Sequence, residues 1–142
     1  MIRSFEKRAE QKISGFQSPA ADYLEGRLDI SEKLVIDPHC TYYFQMQGDA
    51  MMAYGICNGD ILIIDRSLKA QAGSIVIAFI AGELSCRMFG EQRAVPLLIN
   101  KDGRLELKGD HDISIWGVVT CICRGVLPKT LKVGRYSHVC TL

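Results

Sequence analysis

Short runs of β-branched and aromatic residues, separated by glycine, asparagine and aspartate, dominate the 142-residue chain after Pro38. Branched side chains pack well on a pleated surface and the separating residues adopt turn conformations, so the pattern is typical of β-strands joined by tight turns. Helical periodicity is scarce beyond residue 40, and residues 50–56 are the best candidate for a short helical turn. The sequence therefore predicts a mainly β fold, a sheet or a barrel. We expect strands at residues 41–47, 61–65, 74–80, 83–89, 95–99, 104–107 and 113–126.

Composition and charge exclude several classes of protein. Hydrophobic residues at 48% and charged residues at 23% are ordinary for one globular domain, and a net charge of +1 gives no bulk attraction to nucleic acid or anionic membrane. The longest apolar runs, 61–64 and 75–80, are far shorter than the roughly 20 residues that span a bilayer. The basic N-terminus lacks the apolar region of a secretory signal. We expect a cytoplasmic protein with no membrane partner.

The chain divides into three segments by composition. Residues 1–14 carry mixed charges on a weak helical stripe and are expected to form an N-terminal arm. Residues 15–127 are expected to form the folded domain, beginning with a short helix over 20–28 for which Ser18 is the N-cap and Pro19 the first helical residue. Residues 128–142 lack clean alternation, and we treat them as a C-terminal extension of uncertain order.

The six cysteines are interpreted as thiols, because a chain of this size and apolar content forms a core without disulfides. Cys121 and Cys123 lie two residues apart on one predicted strand and point to one face, but no spacing completes a tetrahedral zinc set. His39, His111 and His138 stand in polar surroundings and are interpreted as solvated. The sequence predicts no metal site and no cofactor.

Several segments, in one order and with compatible spacing, resemble the UmuD proteins. These are accessory subunits of bacterial translesion DNA polymerase and are related to the self-cleaving domain of the LexA repressor. The resemblance covers about residues 13–127 and implies a LexA/UmuD-like, β-rich, barrel-like domain. It is carried by Gly-Phe-Gln-Ser-Pro-Ala-Ala-Asp-Tyr-Leu-Glu at 15–25, Gly-Asp-Ala-Met at 48–51, Gly-Asp-Ile-Leu-Ile-Ile-Asp at 59–65, Gly-Ser-Ile-Val-Ile-Ala at 73–78 and Ile-Trp-Gly-Val-Val at 115–119.

The resemblance implies a dimer whose N-terminal arm is cut off by a Ser/Lys dyad when RecA filaments form on damaged DNA. The cut form then joins the polymerase. In that chemistry a serine hydroxyl attacks the scissile carbonyl, and a lysine held neutral by burial takes its proton. The implied partners are therefore a second UmuD-type chain, as homodimer or heterodimer, the catalytic subunit of a translesion polymerase and the RecA filament.

This chain departs from the UmuD pattern at both dyad positions. The nucleophile position falls on Ala50, flanked by Gly48, Asp49 and Met51, and a methyl group cannot form a covalent intermediate. The general-base position falls on Arg87, whose guanidinium stays protonated in proteins. The sequence therefore predicts a pseudoprotease with no intact catalytic residue.

Cleavage by another route remains an alternative. The bond equivalent to the family's cleavage site joins Ser14 to Gly15, and an intact relative acting in trans, or a relocated nucleophile, would cut it there. The candidate nucleophiles are Ser85, Cys57 and Cys86, none of which has an evident base in the sequence.

Three functions are possible for a chain with this resemblance. The first is a non-cleaving UmuD-like protein of the SOS response, acting as a brake or an activator of translesion synthesis. The second is a self-cleaving serine-peptidase-type enzyme. The third, a LexA-type repressor, needs a helix-turn-helix ahead of the β domain, and fourteen residues are too few for one, so we expect no direct sequence-specific DNA binding.

Three further residues receive a structural interpretation. Asp49 and Asp60 resemble a carboxylate pair, but aspartate after glycine at a turn more often binds backbone amides, so we interpret both as scaffolding. Trp116 lies in a predicted strand without interleaved basic and aromatic residues, which favours core or dimer surface over a base-stacking platform.

Overall fold

The computed structural model of the protein describes residues 29–109 and 112–127, and the backbone of 140–141. The chain separates into two units, residues 1–34 and 35–142. The predicted arm and the predicted helix at 20–28 lie outside the described residues, and the boundaries expected after residues 14 and 127 remain predictions. In the described parts of the chain, no helix has the length and apolar character needed to cross a membrane.

The first unit contains a short helix, α1, at Ile30–Leu34. Its start is fixed by Asp29, whose carboxylate accepts hydrogen bonds from the Ser31 backbone amide at 2.9 Å and the Ser31 hydroxyl at 2.6 Å. These bonds, the side-chain one foremost, lower the pKa of Asp29. Sequence analysis missed α1, although aspartate followed three residues later by Glu32 is a helix-start pattern.

The second unit contains one eight-stranded sheet, so the prediction of a mainly β fold is confirmed. All seven predicted strands are present, with ends moved by at most a few residues. Every neighbouring pair is antiparallel except β1 with β8. The strands are β1 Thr41–Gln45, β2 Ile61–Asp65, β3 Ile75–Ile80, β4 Glu83–Gln92, β5 Val95–Asn100, β6 Gly103–Glu106, β7 Ile113–Cys123 and β8 Cys140–Thr141, in the spatial order β6-β5-β4-β3-β7-β2-β1-β8.

Two tight turns connect β3 to β4 and β4 to β5. The first lies at Ala81–Gly82, between the strands predicted at 74–80 and 83–89, and both residues have positive φ, 49° and 86°. The second is formed by Arg93 and Ala94, with φ of 51° and 62°, although neither is a glycine. Positive φ at both central positions gives a turn whose twist matches that of the flanking strands, so the geometry of both hairpins is the expected one.

Alternating side chains bury two clusters of the core. On β3, Ile77 belongs to the first cluster, while Val76 and Ala78 belong to the second, because successive side chains point to opposite faces. The first cluster consists of Phe44, Met46, Met51, Ile56, Leu62, Ile64, Ile77 and Cys86. The second consists of Val76, Ala78, Leu98 and Val118.

The segment between β1 and β2 packs against the first cluster. Met51 and Ile56 in this segment are fully buried there. Between them lies a 3-10 turn at Met52–Tyr54, which confirms the helical turn predicted within 50–56. The turn ends at Gly55 in the left-handed conformation, with φ of 82°. The buried side chains on both sides therefore hold this segment to the sheet.

Candidate functional site

The segment 48–51, which carries the dyad-like motif, is held at several points. Gly48 has a positive φ of 88°, and its amide donates to Asn58 Oδ1 at 2.8 Å. Ala50 is half-buried and packs against the first cluster, and Met51 beside it is fully buried. Position 50 is thus fixed by its neighbours, and its side chain is a methyl group.

Lys101, which directly follows β5, binds this segment twice. Its backbone amide donates to the Ala50 carbonyl at 3.2 Å, and its ammonium forms an ion pair with the Asp49 carboxylate. The hydrogen bond between the two side chains, with their charge attraction, raises the pKa of Lys101 and lowers that of Asp49. Lys101 is therefore a charged anchor and a poor proton acceptor. Sequence reasoning missed it, because the contact joins residues 52 positions apart.

Arg87, which the sequence places at the expected general-base position, lies on β4 opposite Val76 of β3. Its Nε donates to the Ser85 hydroxyl at 3.2 Å. Its neighbour Cys86 points to the opposite face, into the first cluster, and burial raises the pKa of that thiol to about 12. Arg87 and Ser85 therefore lie on one face of β4, and the Cys86 thiol lies on the other.

The structure attaches the segment 48–51 to the end of β5, the strand that pairs with β4. In the pairing of β4 with β5, the pair nearest to Arg87 is Met88 with Ile99. Lys101 follows two residues after Ile99, and its amide binds Ala50. The segment 48–51 is thus attached at the end of β5.

Asp60 forms the best-buried charged contact of this region. It is fully buried and accepts two hydrogen bonds from Arg124, from Nε at 2.6 Å and from Nη2 at 2.7 Å, with a third from the Cys57 amide at 2.8 Å. Arg124 Nη2 also donates to the Gly55 carbonyl at 3.0 Å. The hydrogen bonds to Arg124 are the main reason that the pKa of Asp60 lies below its usual value.

Asp49 and Asp60 both make structural contacts, but with different partners. Asp60 binds a backbone amide as the sequence suggested, yet its principal partner is Arg124, which sequence analysis did not single out. Asp49 holds Lys101 through its side chain, which corrects the expectation of a backbone-binding aspartate. Both cations lie far along the chain from the carboxylate that they bind, so local patterns gave no signal for them.

Trp116 is half-buried and packs against aromatic residues of β1. Its ring meets Tyr42 edge-on at 5.0 Å between centroids and Phe44 at 5.3 Å. The Arg66 guanidinium lies 4.4 Å from the ring centroid, and Arg66 Nε donates to the Trp116 carbonyl at 3.0 Å. One face of the indole is therefore already taken by a cation.

The remaining candidate residues are the cysteines, the histidines and the Ser14–Gly15 bond. Five cysteines in the described residues are free thiols, and His39 is exposed, with its backbone amide bound to Asp37. Within the described ranges no three His, Cys, Asp or Glu side chains are grouped so as to hold a metal ion. Ser14, Gly15, His111 and His138 lie outside the described residues.

Comparison with known proteins places this chain in a family. A family model described as Peptidase S24-like matches residues 10–120. The chain belongs to the Peptidase S24-like family. The match includes the segment 48–51, the Arg87 strand and most of β7.

Individual relatives agree with the S24 assignment. The chain is 39% identical to MucA of Escherichia coli over 114 residues, which cover 78% of this chain and 78% of MucA. It is 35% identical to ImpA of Salmonella typhimurium over 113 residues, covering 79% of this chain and 78% of ImpA. It is 29% identical to the LexA repressor of Xylella fastidiosa over 116 residues, covering 80% of this chain and 55% of the repressor. The resemblance to UmuD-like and LexA-like proteins is thereby confirmed as membership of the S24 family.

Proposed function

We propose that this S24 protein is a non-cleaving, UmuD-like regulatory subunit of the SOS response to DNA damage. It would act as a homodimer or as a heterodimer with an active relative, and would bind a translesion polymerase or the RecA filament. Similarity to ImpA, MucA and SamA over more than three quarters of the chain supports the UmuD-like part of the proposal. The presence of Ala50 in a well-held Gly-Asp-x-Met segment carries the non-cleaving part.

Peptide cleavage by a Ser/Lys dyad needs a nucleophilic oxygen and a base that can be neutral. Ala50 supplies neither a lone pair nor a proton to remove. Arg87 carries a guanidinium group, which stays protonated in proteins and cannot act as a base. With both positions changed, the dyad retains no chemical activity of its own.

The contacts of the three candidate substitute nucleophiles, Ser85, Cys57 and Cys86, support the proposal. Cys86 is buried, and its raised pKa of about 12 leaves almost no thiolate at neutral pH. Ser85 accepts a hydrogen bond from Arg87, which cannot remove its proton. The nearest carboxylate along the chain from Cys57 is Asp60, and both of its oxygens are bound to Arg124.

Restoring the dyad tests the proposal directly. The segment 48–51 is held by Lys101, Asn58 and buried Met51, and none of these contacts involves the Ala50 methyl group. We therefore expect Ala50→Ser with Arg87→Lys to lose the first fourteen residues when mixed with RecA, single-stranded DNA and nucleotide. The wild-type chain should keep its full mass under the same conditions.

The single variants are the matched controls. Ala50→Ser alone and Arg87→Lys alone each lack one half of the dyad, so both should stay whole in the mass spectrum. If the wild-type chain alone loses the arm, the pseudoprotease assignment is wrong and the self-cleaving alternative replaces it. A double variant that stays whole while folded, as judged by far-UV circular dichroism, would show that positions 50 and 87 are not the dyad positions.

A further inference from the structure

The two edges of the eight-stranded sheet differ in how they resist pairing with other strands. Edge strand β6 is four residues long and carries the charged side chains Arg104 and Glu106. Short length and charge are common protections against edge-to-edge association. This edge of the sheet is thus protected by its own sequence.

Strand β1, near the other edge, lacks the charges that protect β6. Its five residues, Thr-Tyr-Tyr-Phe-Gln, include no charge and no proline, and its register with β2 is unbroken by a bulge. Tyr42 and Tyr43 are 42% and 46% exposed. An uncharged, regular and aromatic edge strand is a ready template for another strand.

The chain covers part of this edge with its own C-terminal residues. Strand β8 at Cys140–Thr141 pairs in parallel with Phe44 and Gln45 of β1. Sixteen residues separate β8 from the end of β7. Connections between parallel strands take a dozen or more residues, so this length is sufficient.

We propose that the outer edge of β1 is an acceptor site for an extended strand, filled within one molecule by residues 140–141 and open to the same segment of a second copy when its own is absent. The occupant is a C-terminal strand of this chain because that segment is the one the edge binds. Strand β8 pairs with only two of the five β1 residues, so few hydrogen bonds must break for it to be exchanged. Exchange of an identical element between copies preserves every contact at little cost. The proposal is independent of whether the dyad is active.

Strand addition is tested with a peptide probe of residues 136–142 carrying a fluorophore, whose anisotropy reports binding. We expect it to bind the chain shortened after Leu127 at least tenfold more tightly than it binds the full chain, whose edge is already filled. The same peptide with proline at positions 140 and 141 is the control, because proline cannot donate to a strand ladder, and it should not bind.

A second variant keeps the test valid if the shortened chain does not fold. The full-length double variant Cys140→Pro with Thr141→Pro keeps every other residue and should also bind the peptide tightly. Peptide affinity that is equal for wild-type and altered chains, or absent from altered chains whose circular dichroism is native, would overturn the proposal.

Discussion

Asp60 shows how one buried charge organises the loop that precedes β2. Its carboxylate joins the Arg124 guanidinium and the Cys57 amide, and Arg124 also binds the Gly55 carbonyl. We expect Asp60→Asn to lower the free energy of unfolding by about 2 kcal/mol, because a buried group would lose charged hydrogen bonds. Urea denaturation at pH 7 measures the change. Asp49→Asn is the control and should have little effect, because Asp49 and Lys101 are both exposed.

The same ion pair gives a pH dependence with a defined sign. Arg124 lowers the pKa of Asp60 below its ordinary value of 3.8, so the stabilisation is complete above that value and is lost as pH falls through the lower folded-state pKa. The wild type should therefore lose more stability below about pH 4 than Asp60→Asn does. Denaturation curves at several acidic pH values give the comparison, and parallel losses in the two proteins would contradict it.

Gly117 on β7 leaves no room for a side chain of its own. A Cβ at this position would stand 2.6 Å from Ile64 Cγ2, and Ile64 is fully buried. Gly117→Ala should therefore reduce stability by about 2 to 3 kcal/mol through overpacking. Gly90→Ala is the matched control, since its Cβ would meet only the end of the Ile99 side chain at 3.1 Å. Thermal unfolding of the two variants should separate them, and equal effects would refute the packing argument.

At the scale of elements, the turn between β4 and β5 stores local strain. Arg93 and Ala94 both adopt the left-handed conformation, which costs a residue with a Cβ about 1 kcal/mol or more. Replacing the pair by Asn-Gly should stabilise the protein by about 1 kcal/mol, as measured by chemical denaturation. The opposite change in the neighbouring hairpin, Gly82→Ala, should destabilise it by a similar amount. A gain in both turns, or in neither, would argue against backbone strain as the cause.

The strands were predictable because each depends on a local pattern. The run 61–65 has its predicted bounds, and the Ala81–Gly82 turn follows from one glycine between two branched runs. Strand β8 was missed because two residues carry no periodicity. The anchors Lys101 and Arg124 were missed for another reason, since they meet their aspartates across 52 and 64 positions of sequence. Folding, not local sequence, brings those charges together.

At the scale of the whole molecule, the proposed loss of activity does not prevent processing by a partner. An active UmuD-type relative carrying both serine and lysine should cut this chain between Ser14 and Gly15 if the two associate. We expect the fourteen-residue loss only in mixtures that contain the relative, RecA, single-stranded DNA and nucleotide. Intact mass spectrometry reads both chains at once, and a relative whose serine is changed to alanine is the control. Persistence of the full mass beside an active, self-cut relative would exclude processing in trans.

The aromatic group around Trp116 also gives the protein an optical signal of its own. Trp116 is the single tryptophan of the chain, and it contacts Tyr42 and Phe44 of β1 and Arg66 just after β2. Its fluorescence therefore originates from one place, the meeting of β1 and β7 with the end of β2. Separation of those strands will expose the indole to water and shift its emission to longer wavelength, without any attached label.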